Sequence, residues 1–477
     1  MEIVGLPEAV VRESRERVRA AIRNSGYEFP PGRTTINLAP ADLRKEGSAY
    51  DLPIALGLLV AMGRIPAERL SRRIVAGELS LDGRVNAIRG ALSIAASLPR
   101  HAIPTLLLPA ANAREAALVP GIEVYGVGSL GEAVEVITGR RSGAVERIDA
   151  TALLAATSGS EVDLAEVRGQ LHARRALEIA AAGGHNVLLV GPPGSGKTML
   201  ARRLPSILPE LTIDEALETT KVHSVAGVLD GRPLINTRPF RAPHHTISNA
   251  GMVGGGSWPR PGEVSLAHNG VLFLDEFPEY PRNVLEALRQ PLEDRRVTLS
   301  RAKTTLMFPA SFVLVAAMNP CRCGFSGQPH RACTCPPGDV ERYRSRISGP
   351  LLDRIDLRVE VPAVPFRELA GDAGGEPSAA VRARVYVARD AQRRRFTEQA
   401  IFSNAQMSSR DLRRTCAVDS AGSALLERAA ERLGLSARAH HRILRVARTI
   451  ADLAAAERIE AAHVAEAIQY RTLDGAK

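Results

Sequence analysis

Residues 186–200 read NVLLVGPPGSGKTML. The apolar run Val187 to Val190 has the composition of a strand buried on both faces. It feeds Gly191-Pro192-Pro193-Gly194-Ser195-Gly196-Lys197-Thr198, which has the spacing G-x-x-x-x-G-K-[ST] with a helical stretch after it. Glycines there let backbone N–H groups wrap a phosphate chain, and the following helix points its positive end at the same place. Lys197 is then expected at the β- and γ-phosphates of ATP, and Thr198 on Mg2+. A strand before and a helix after are the context this motif requires. The stretch predicts an α/β fold built on a parallel, nucleotide-binding sheet.

Such a sheet needs a second strand that ends in carboxylates. GVLFLDEF, residues 270–277, offers one: Val271 to Leu274 are apolar, and Asp275 and Glu276 follow. Asp275 is expected to hold Mg2+ through water, and Glu276 to orient or deprotonate the attacking water. The plainer reading is a strand end with two surface acids. Two acids in sequence, at this distance after the phosphate loop, point to hydrolysis rather than nucleotide holding.

Composition bounds the rest. A chain of 477 residues, 45% hydrophobic and 24% charged, is expected to be globular with two or three domains. No apolar run approaches the roughly 18 residues of a membrane span. The start, MEIVGLPEAVVRESRERV, lacks the basic-then-apolar order of a secretory leader, so a cytoplasmic location is expected. Five cysteines in this length do not make a disulfide framework. Lys plus Arg outnumber Asp plus Glu by 62 to 52, a net charge of +10. That excess favours a polyanionic partner such as nucleic acid, although many basic proteins bind none.

Composition also divides the chain. Residues 1–140 mix strand-like runs with an opening helix from Pro7 to near Gly26, which carries Val11, Val18 and Ile22 on one face. Residues 141–165 are small and polar and read as a linker. Residues 166–363 alternate strand and helix, and residues 364–385, around GDAGGEPSA, read as a second linker. Residues 386–477 are helical and rich in Arg and Ala, with SARAHHRILRVARTIADLAAA and IEAAHVAEAIQY as the clearest helices.

Further motifs fall in the order found in AAA+ ATPases. The strand SFVLVAAMN ends at Asn319, placed like the polar sensor that those enzymes set between their two nucleotide-binding strands. GPLLDRIDLRVEV puts Arg354 in a loop before another strand, where an arginine reaches a neighbouring subunit's γ-phosphate. GLSARAHHR puts Arg438 at a helix start, the place of a lid arginine.

With these residues assembled, the chain resembles the magnesium-chelatase-like AAA+ ATPases of the ComM/YifB type. GQLHARRALEIAAAGGHNVLLVGPPGSGKTMLARRLPSILP, RPFRAPHHTISNAGMVGGGSWPRPGEVSLAHNGVLFLDEFPEY and LSARAHHRILRVARTIADL are all similar to that family. The resemblance covers nearly the whole chain. It implies an N-terminal domain like the Lon protease catalytic region, an ATPase core and a helical lid, assembled as ATP-driven rings, hexamers in all expectation. Family members carry several strand residues ahead of IVGLPE, so the first sheet is expected to be shortened here. Lon proteases pair a serine with a lysine. In KEGSAYD the serine position falls on Ala49, with Ser48 beside it, and in GELSLDGRVNAIRGAL the lysine position falls on Leu92. A hydroxyl without a base is a poor nucleophile, so no protease activity is expected, and an assembly or DNA-guiding role is.

The ComM type is associated with DNA, as a helicase or branch-migration motor in recombination and natural transformation. RRVTLSRAKTTLMFP reads as a β-hairpin with Arg301 and Lys303 near its tip, where related ring helicases grip the phosphate backbone. The plainer reading is a basic, solvated turn. RAPHHTISNAGMVGGGSWPRPG sits where the same relatives carry a pore insert, and Trp258 could stack on bases or simply pack. The rival function is remodelling of, or metal insertion into, a protein partner.

NPCRCGFSGQPHRACTCPPG, residues 319–338, holds Cys321, Cys323, Cys333 and Cys335. Four thiolates suit one tetrahedral Zn2+, although C-x-C pairs depart from the usual C-x-x-C spacing. Free thiols and a redox-sensitive disulfide are the alternatives, and His330 is a possible substitute ligand. Cys416 stands alone and is expected to be an ordinary buried residue.

Overall fold

A computed structural model describes the chain apart from residues 7–8, 41–44, 46, 145–146, 157–161, 257–258, 302–303, 329–330, 366–374, 398, 400 and 472–477. Pro7, Trp258, Lys303 and His330 therefore lie outside the described residues. Two compact units emerge, Met1–Thr157 with Ile213–Asn236, and Ser158–Thr212 with Thr237–Lys477. Residues 213–236 fall within the stretch expected to be ATPase core, yet they pack in the first unit. Among the described residues no helix is long and apolar enough to cross a membrane.

The first unit is built on a parallel three-stranded sheet with Thr105–Pro109 between Arg73–Val75 and Glu123–Val127. All five residues of the central strand are buried, as expected where both faces are covered. The opening helix spans Ala9–Asn24, and the face predicted to be apolar is fully buried at Val11, Val18 and Ile22. Ser48 donates a hydrogen bond to Glu78, and Leu92 is fully buried. The borrowed helix, Ile213–Ala226, is anchored where Gly90 N–H donates to Ser224 O at 3.1 Å.

The second unit carries a five-stranded, all-parallel sheet: β1 (Val187–Val190), β2 (Phe240–Arg241), β3 (Val271–Leu274), β4 (Val313–Met318) and β5 (Leu357–Glu360). Their spatial order is β5-β1-β4-β3-β2. All six residues of β4 are buried, which is why its run of Val, Leu and Ala carries no polar alternation. One core lies between the sheet and the helices α1 (Leu171–Gly183), α2 (Lys197–Ile207), α3 (Ser378–Arg395), α4 (Ala437–Leu453) and α5 (Ala461–Gln469). A second core on the other face includes Leu188, Leu272, Leu274 and Leu314. Helix α3 starts at Ser378, inside the stretch that reads as a linker, and Arg389 and Gln392 on it donate to the carbonyls of Ala181 and Ala182 at the end of α1. The two segments read as the clearest C-terminal helices are α4 and α5.

The two strands of the expected hairpin are present. Arg296–Arg301 pairs antiparallel with Thr304–Pro309, and the last pair is Arg301 with Thr304. Val297 is buried in the second core, so the base of the hairpin is fixed to that face of the sheet.

Candidate functional site

Strand register assembles the site. Val190 of β1 pairs with Met318 of β4, and Gly191 N–H donates to Met318 O at 3.2 Å, so Asn319 emerges beside the phosphate loop. Leu274 of β3 pairs with Ala316, which brings Asp275 to the same sheet edge. The strand order therefore sets Asn319 between Lys197 and Asp275. Parallel strands whose carboxyl ends meet at such an edge commonly build a ligand crevice there.

The loop is shaped by its glycines. Gly194 and Gly196 take φ of +76° and +89°, left-handed values that other residues avoid. A Cβ on Gly191 would fall 2.0 Å from Val361 O, so only glycine lets the loop pass that backbone. Gly196 caps α2, whose face of Leu200, Ala201, Leu204 and Ile207 is buried and holds the helix N-terminus against the loop. Lys197 Nζ donates to Gly191 O at 2.8 Å, Pro192 O at 2.9 Å and Asn319 Oδ1 at 3.1 Å. Burial lowers the Lys197 pKa, and the charge of Asp275 acts against that. Thr198 Oγ1 donates to Asp275 Oδ2 at 2.7 Å.

These residues fit ATP and Mg2+. A desolvated ammonium over a ring of carbonyls is completed by an anion, and Ser195 Oγ is buried without a partner at the same loop. The Thr198 hydroxyl and Asp275 carboxylate, already within hydrogen-bond distance of each other, are the pair that would share a hydrated divalent cation.

Glu276 has a left-handed backbone, φ +51°, and its side chain is 60% exposed. Its Oε2 lies 3.1 Å from His245 Nδ1, and the His245 ring sits 4.1 Å from that of His244. Tyr280 OH donates to Pro243 O at 2.6 Å and holds this segment to the turn after β3. The sequence reads His244 and His245 only as part of the pore-insert stretch, not beside the acids: His245 lies 31 positions before Glu276, and nothing in the spacing joins the two. Gln170 is a second addition. It adopts φ +52° before α1 and donates to Pro362 O at 2.5 Å and Ser195 O at 3.4 Å, tying the loop to the end of β5.

The two arginines are placed differently. Arg354 is only 14% exposed: Nε donates to Arg289 O at 3.1 Å, Nη1 to Pro350 O at 2.7 Å, and Nη2 pairs with Glu293. It lines a cavity of about 610 Å3 together with Glu286, Glu293 and the hairpin residues Val297 and Leu299. Arg438 is exposed in the first turn of α4, which Ser436 caps by accepting from Ala439 N–H at 3.2 Å. Among the described residues, neither arginine hydrogen-bonds to the phosphate loop. Arg301 is the last strand residue before the hairpin turn.

Two residues past Arg354, Asp356 is buried between the ATPase core and the helical region. Its carboxylate accepts from Asn186 N–H at 3.1 Å and Arg442 Nη1 at 2.5 Å, with His185 Nδ1 3.6 Å away. Burial alone would raise its pKa, but the charge of Arg442 and the His185 contact outweigh it and hold the carboxyl well below the usual range.

The four cysteine sulfurs converge within 4.8 Å of one another. Cys416 is apart from them and buried, which raises its thiol pKa.

Comparison with known proteins agrees with this geometry along the length of the chain. Residues 163–369 match the family described as magnesium chelatase, subunit ChlI, and residues 375–471 match its C-terminal family. Residues 1–112 match a further family, described as subunit ChlI of Mg-chelatase. Competence protein ComM of Haemophilus influenzae is 45% identical over 477 residues, covering 99% of this chain and 92% of that protein. The uncharacterized protein YifB of Salmonella typhimurium is 45% identical over 475 residues, with the same shares. The magnesium-chelatase 38 kDa subunit of Rhodobacter capsulatus is 28% identical over 172 residues, 32% of this chain and 48% of that subunit. Identity of this extent, over a parallel sheet that brings Lys197, Thr198, Asp275 and Asn319 to one edge, makes the chain a member of the ComM/YifB type of magnesium-chelatase-like AAA+ ATPases.

Proposed function

We propose that the chain is the subunit of a cytoplasmic, homo-oligomeric ring, a hexamer, that uses Mg2+-dependent ATP hydrolysis to translocate along DNA as a helicase or branch-migration motor. The observation that carries the DNA half is the pair of strands Arg296–Arg301 and Thr304–Pro309, whose register ends at Arg301 and Thr304 and which is rooted through Val297 in the core that also holds β3; Lys303, expected beside Arg301, lies outside the described residues. A grip rooted there moves with the strand that bears Asp275 and Glu276. The net charge of +10 supports the same partner. The competence protein of Haemophilus influenzae has a name that points to DNA uptake, and natural transformation or recombination is the setting we assign.

In this reading Lys197 and the loop N–H groups bind the phosphates, Thr198 and Asp275 hold Mg2+, and Glu276 activates water. Asn319 positions the water against the γ-phosphate, and Arg354 and Arg438 supply charge from the neighbouring subunit and the lid. Zn2+ at the cysteine cluster is the second metal. The first unit, like the Lon catalytic region, serves assembly or DNA guiding. The second reading is a remodelling or metal-insertion motor for a protein partner, favoured by the match to magnesium-chelatase families.

The test is ATP turnover with and without single-stranded and branched DNA over a salt series, for wild type and the Arg301→Ala/Lys303→Ala variant. Stimulation that fades with salt, because phosphate contacts release counterions, and that the variant loses is the expected result. No response to DNA at low salt overturns the DNA motor and turns the search to a protein client.

A further inference from the structure

The cysteine cluster lies against the nucleotide site. Cys321 Sγ is 3.4 Å from Cys323 Sγ and 3.6 Å from Cys333 Sγ, and Cys323 and Cys333 are 3.5 Å apart. These separations are well beyond the roughly 2.05 Å of a disulfide. They are close to the S···S distance of about 3.8 Å that tetrahedral ligands make around Zn2+ at Zn–S of about 2.3 Å. Backbone N–H groups aim at the sulfurs: Ser326 to Cys321 at 3.3 Å, Cys335 to Cys333 at 3.4 Å, and Cys323 to Cys335 at 3.4 Å. Donors so placed favour thiolates, and thiolates at this range repel one another unless a cation sits among them. The sulfurs are too close together to frame a multi-iron cluster; one soft divalent ion fills the space.

The loop between the cysteine pairs does more than close on itself. Gly324, at φ +89°, packs so tightly on Pro193 of the phosphate loop that a Cβ there would lie 2.5 Å from Pro193 Cδ. Cys321 follows Asn319 by two residues. Beyond Cys335 the chain enters the helix Pro337–Arg344, and Arg344 Nε donates back to Pro320 O at 3.1 Å. One clasp therefore packs on the phosphate loop at Pro193 and lies two residues from Asn319, which accepts from Lys197.

We infer that Cys321, Cys323, Cys333 and Cys335 bind one Zn2+ per chain, and that this zinc clasp is a wall of the nucleotide site whose metal occupancy sets the affinity for ATP. The cysteines do not touch nucleotide. They position Pro193 through Gly324, and Asn319 through Cys321. The coupling rests on the nucleotide reading of the phosphate loop.

The experiment uses the reduced full-length chain, purified without chelator. Metal is counted by plasma mass spectrometry, and the dissociation constant of a fluorescent ATP analogue is measured with metal bound, after release of the metal by a mercurial with circular dichroism as a check on folding, and in two variants. One zinc per chain is expected, with affinity falling about 10-fold on release, the size of effect seen when groups that orient a site are lost. Cys323→Ser/Cys335→Ser should lose both zinc and affinity. Gly324→Ala keeps all four ligands, so it should retain zinc yet bind nucleotide more weakly, and it remains informative if the cysteine variant does not fold. A chain with no metal, or with iron in place of zinc, overturns the zinc site. Unchanged affinity in the folded, zinc-free chain overturns the coupling. A zinc-loaded chain that binds no nucleotide overturns the nucleotide reading and the coupling, while the metal site stands.

Discussion

Glu276 occupies a backbone conformation that costs a non-glycine residue on the order of 1–3 kcal/mol, and it does so at the edge where hydrolysis is proposed. Its carboxyl meets His245, while the neighbouring Asp275 accepts from Thr198. Glu276→Gln keeps the shape and removes the proposed base, so nucleotide binding should persist while turnover falls by about 10^2 to 10^4. Single-turnover hydrolysis beside analogue binding measures both, and undiminished turnover would reassign the catalytic acid. Asp356 has a structural part at the same scale. Asp356→Asn leaves Arg442 facing a lost charge in a buried setting, a change worth about 3–5 kcal/mol when one partner of a buried pair is removed. The pH dependence follows from its depressed pKa. The contribution is complete above the unfolded value of about 3.9 and is lost as pH falls toward the lower folded value. Urea melts should therefore show the full wild-type advantage over the variant at pH 7 and at pH 5, with the gap narrowing only below about pH 4.

At the scale of elements, the strands Arg296–Arg301 and Thr304–Pro309 pair in a regular register that ends at Arg301 and Thr304. Only their base contributes to the core, through Val297 and partly through Leu299, while Met307 is 61% exposed. Replacing residues 300–305 by Asn-Gly would make Leu299 and Leu306 the pair that flanks a favoured type I′ turn. The melting temperature should stay within a few degrees of wild type, since Val297 and Leu299, which reach the core, are kept, and DNA stimulation should vanish. Persistent stimulation would place the DNA contact elsewhere. The alternation of VTLS and TTLM made this hairpin legible in the sequence, because period-two patterning reports a strand directly. The start of α3 was not legible: SAAVRARV follows a Gly- and Pro-rich stretch, and its helical face is defined by packing on α1.

At the scale of the whole molecule, Arg354 is proposed to act between subunits. In the single chain it is bound to Glu293 and to two backbone carbonyls, so it must leave or share Glu293 to meet a neighbour's phosphate. Arg354→Ala should lower turnover by 10^3-fold or more, the usual worth of an arginine supplied in trans. Mixing it with Glu276→Gln should restore part of the activity, because a mixed ring contains interfaces that join an intact arginine to an intact glutamate. Mixtures as inactive as their components would assign Arg354 a role within its own subunit, as partner of Glu293.

Local chemistry was determined by the sequence alone. The phosphate loop, the paired acids, the strand ending in Asn319 and the cysteine pairs are each contiguous, so spacing and residue type suffice to read them. Their assembly was decided only in three dimensions. The order β5-β1-β4-β3-β2 puts Asn319 between Lys197 and Asp275, and parallel pairing over more than a hundred residues leaves no periodic trace. His245 beside Glu276, Glu293 beside Arg354 and Gly324 against Pro193 are contacts of the same kind. So is the helix Ile213–Ala226, which lies between two motifs of the ATPase core yet packs in the first unit. Sequence fixes which face of a helix is apolar; which core receives that face depends on the surfaces already in place when the chain folds.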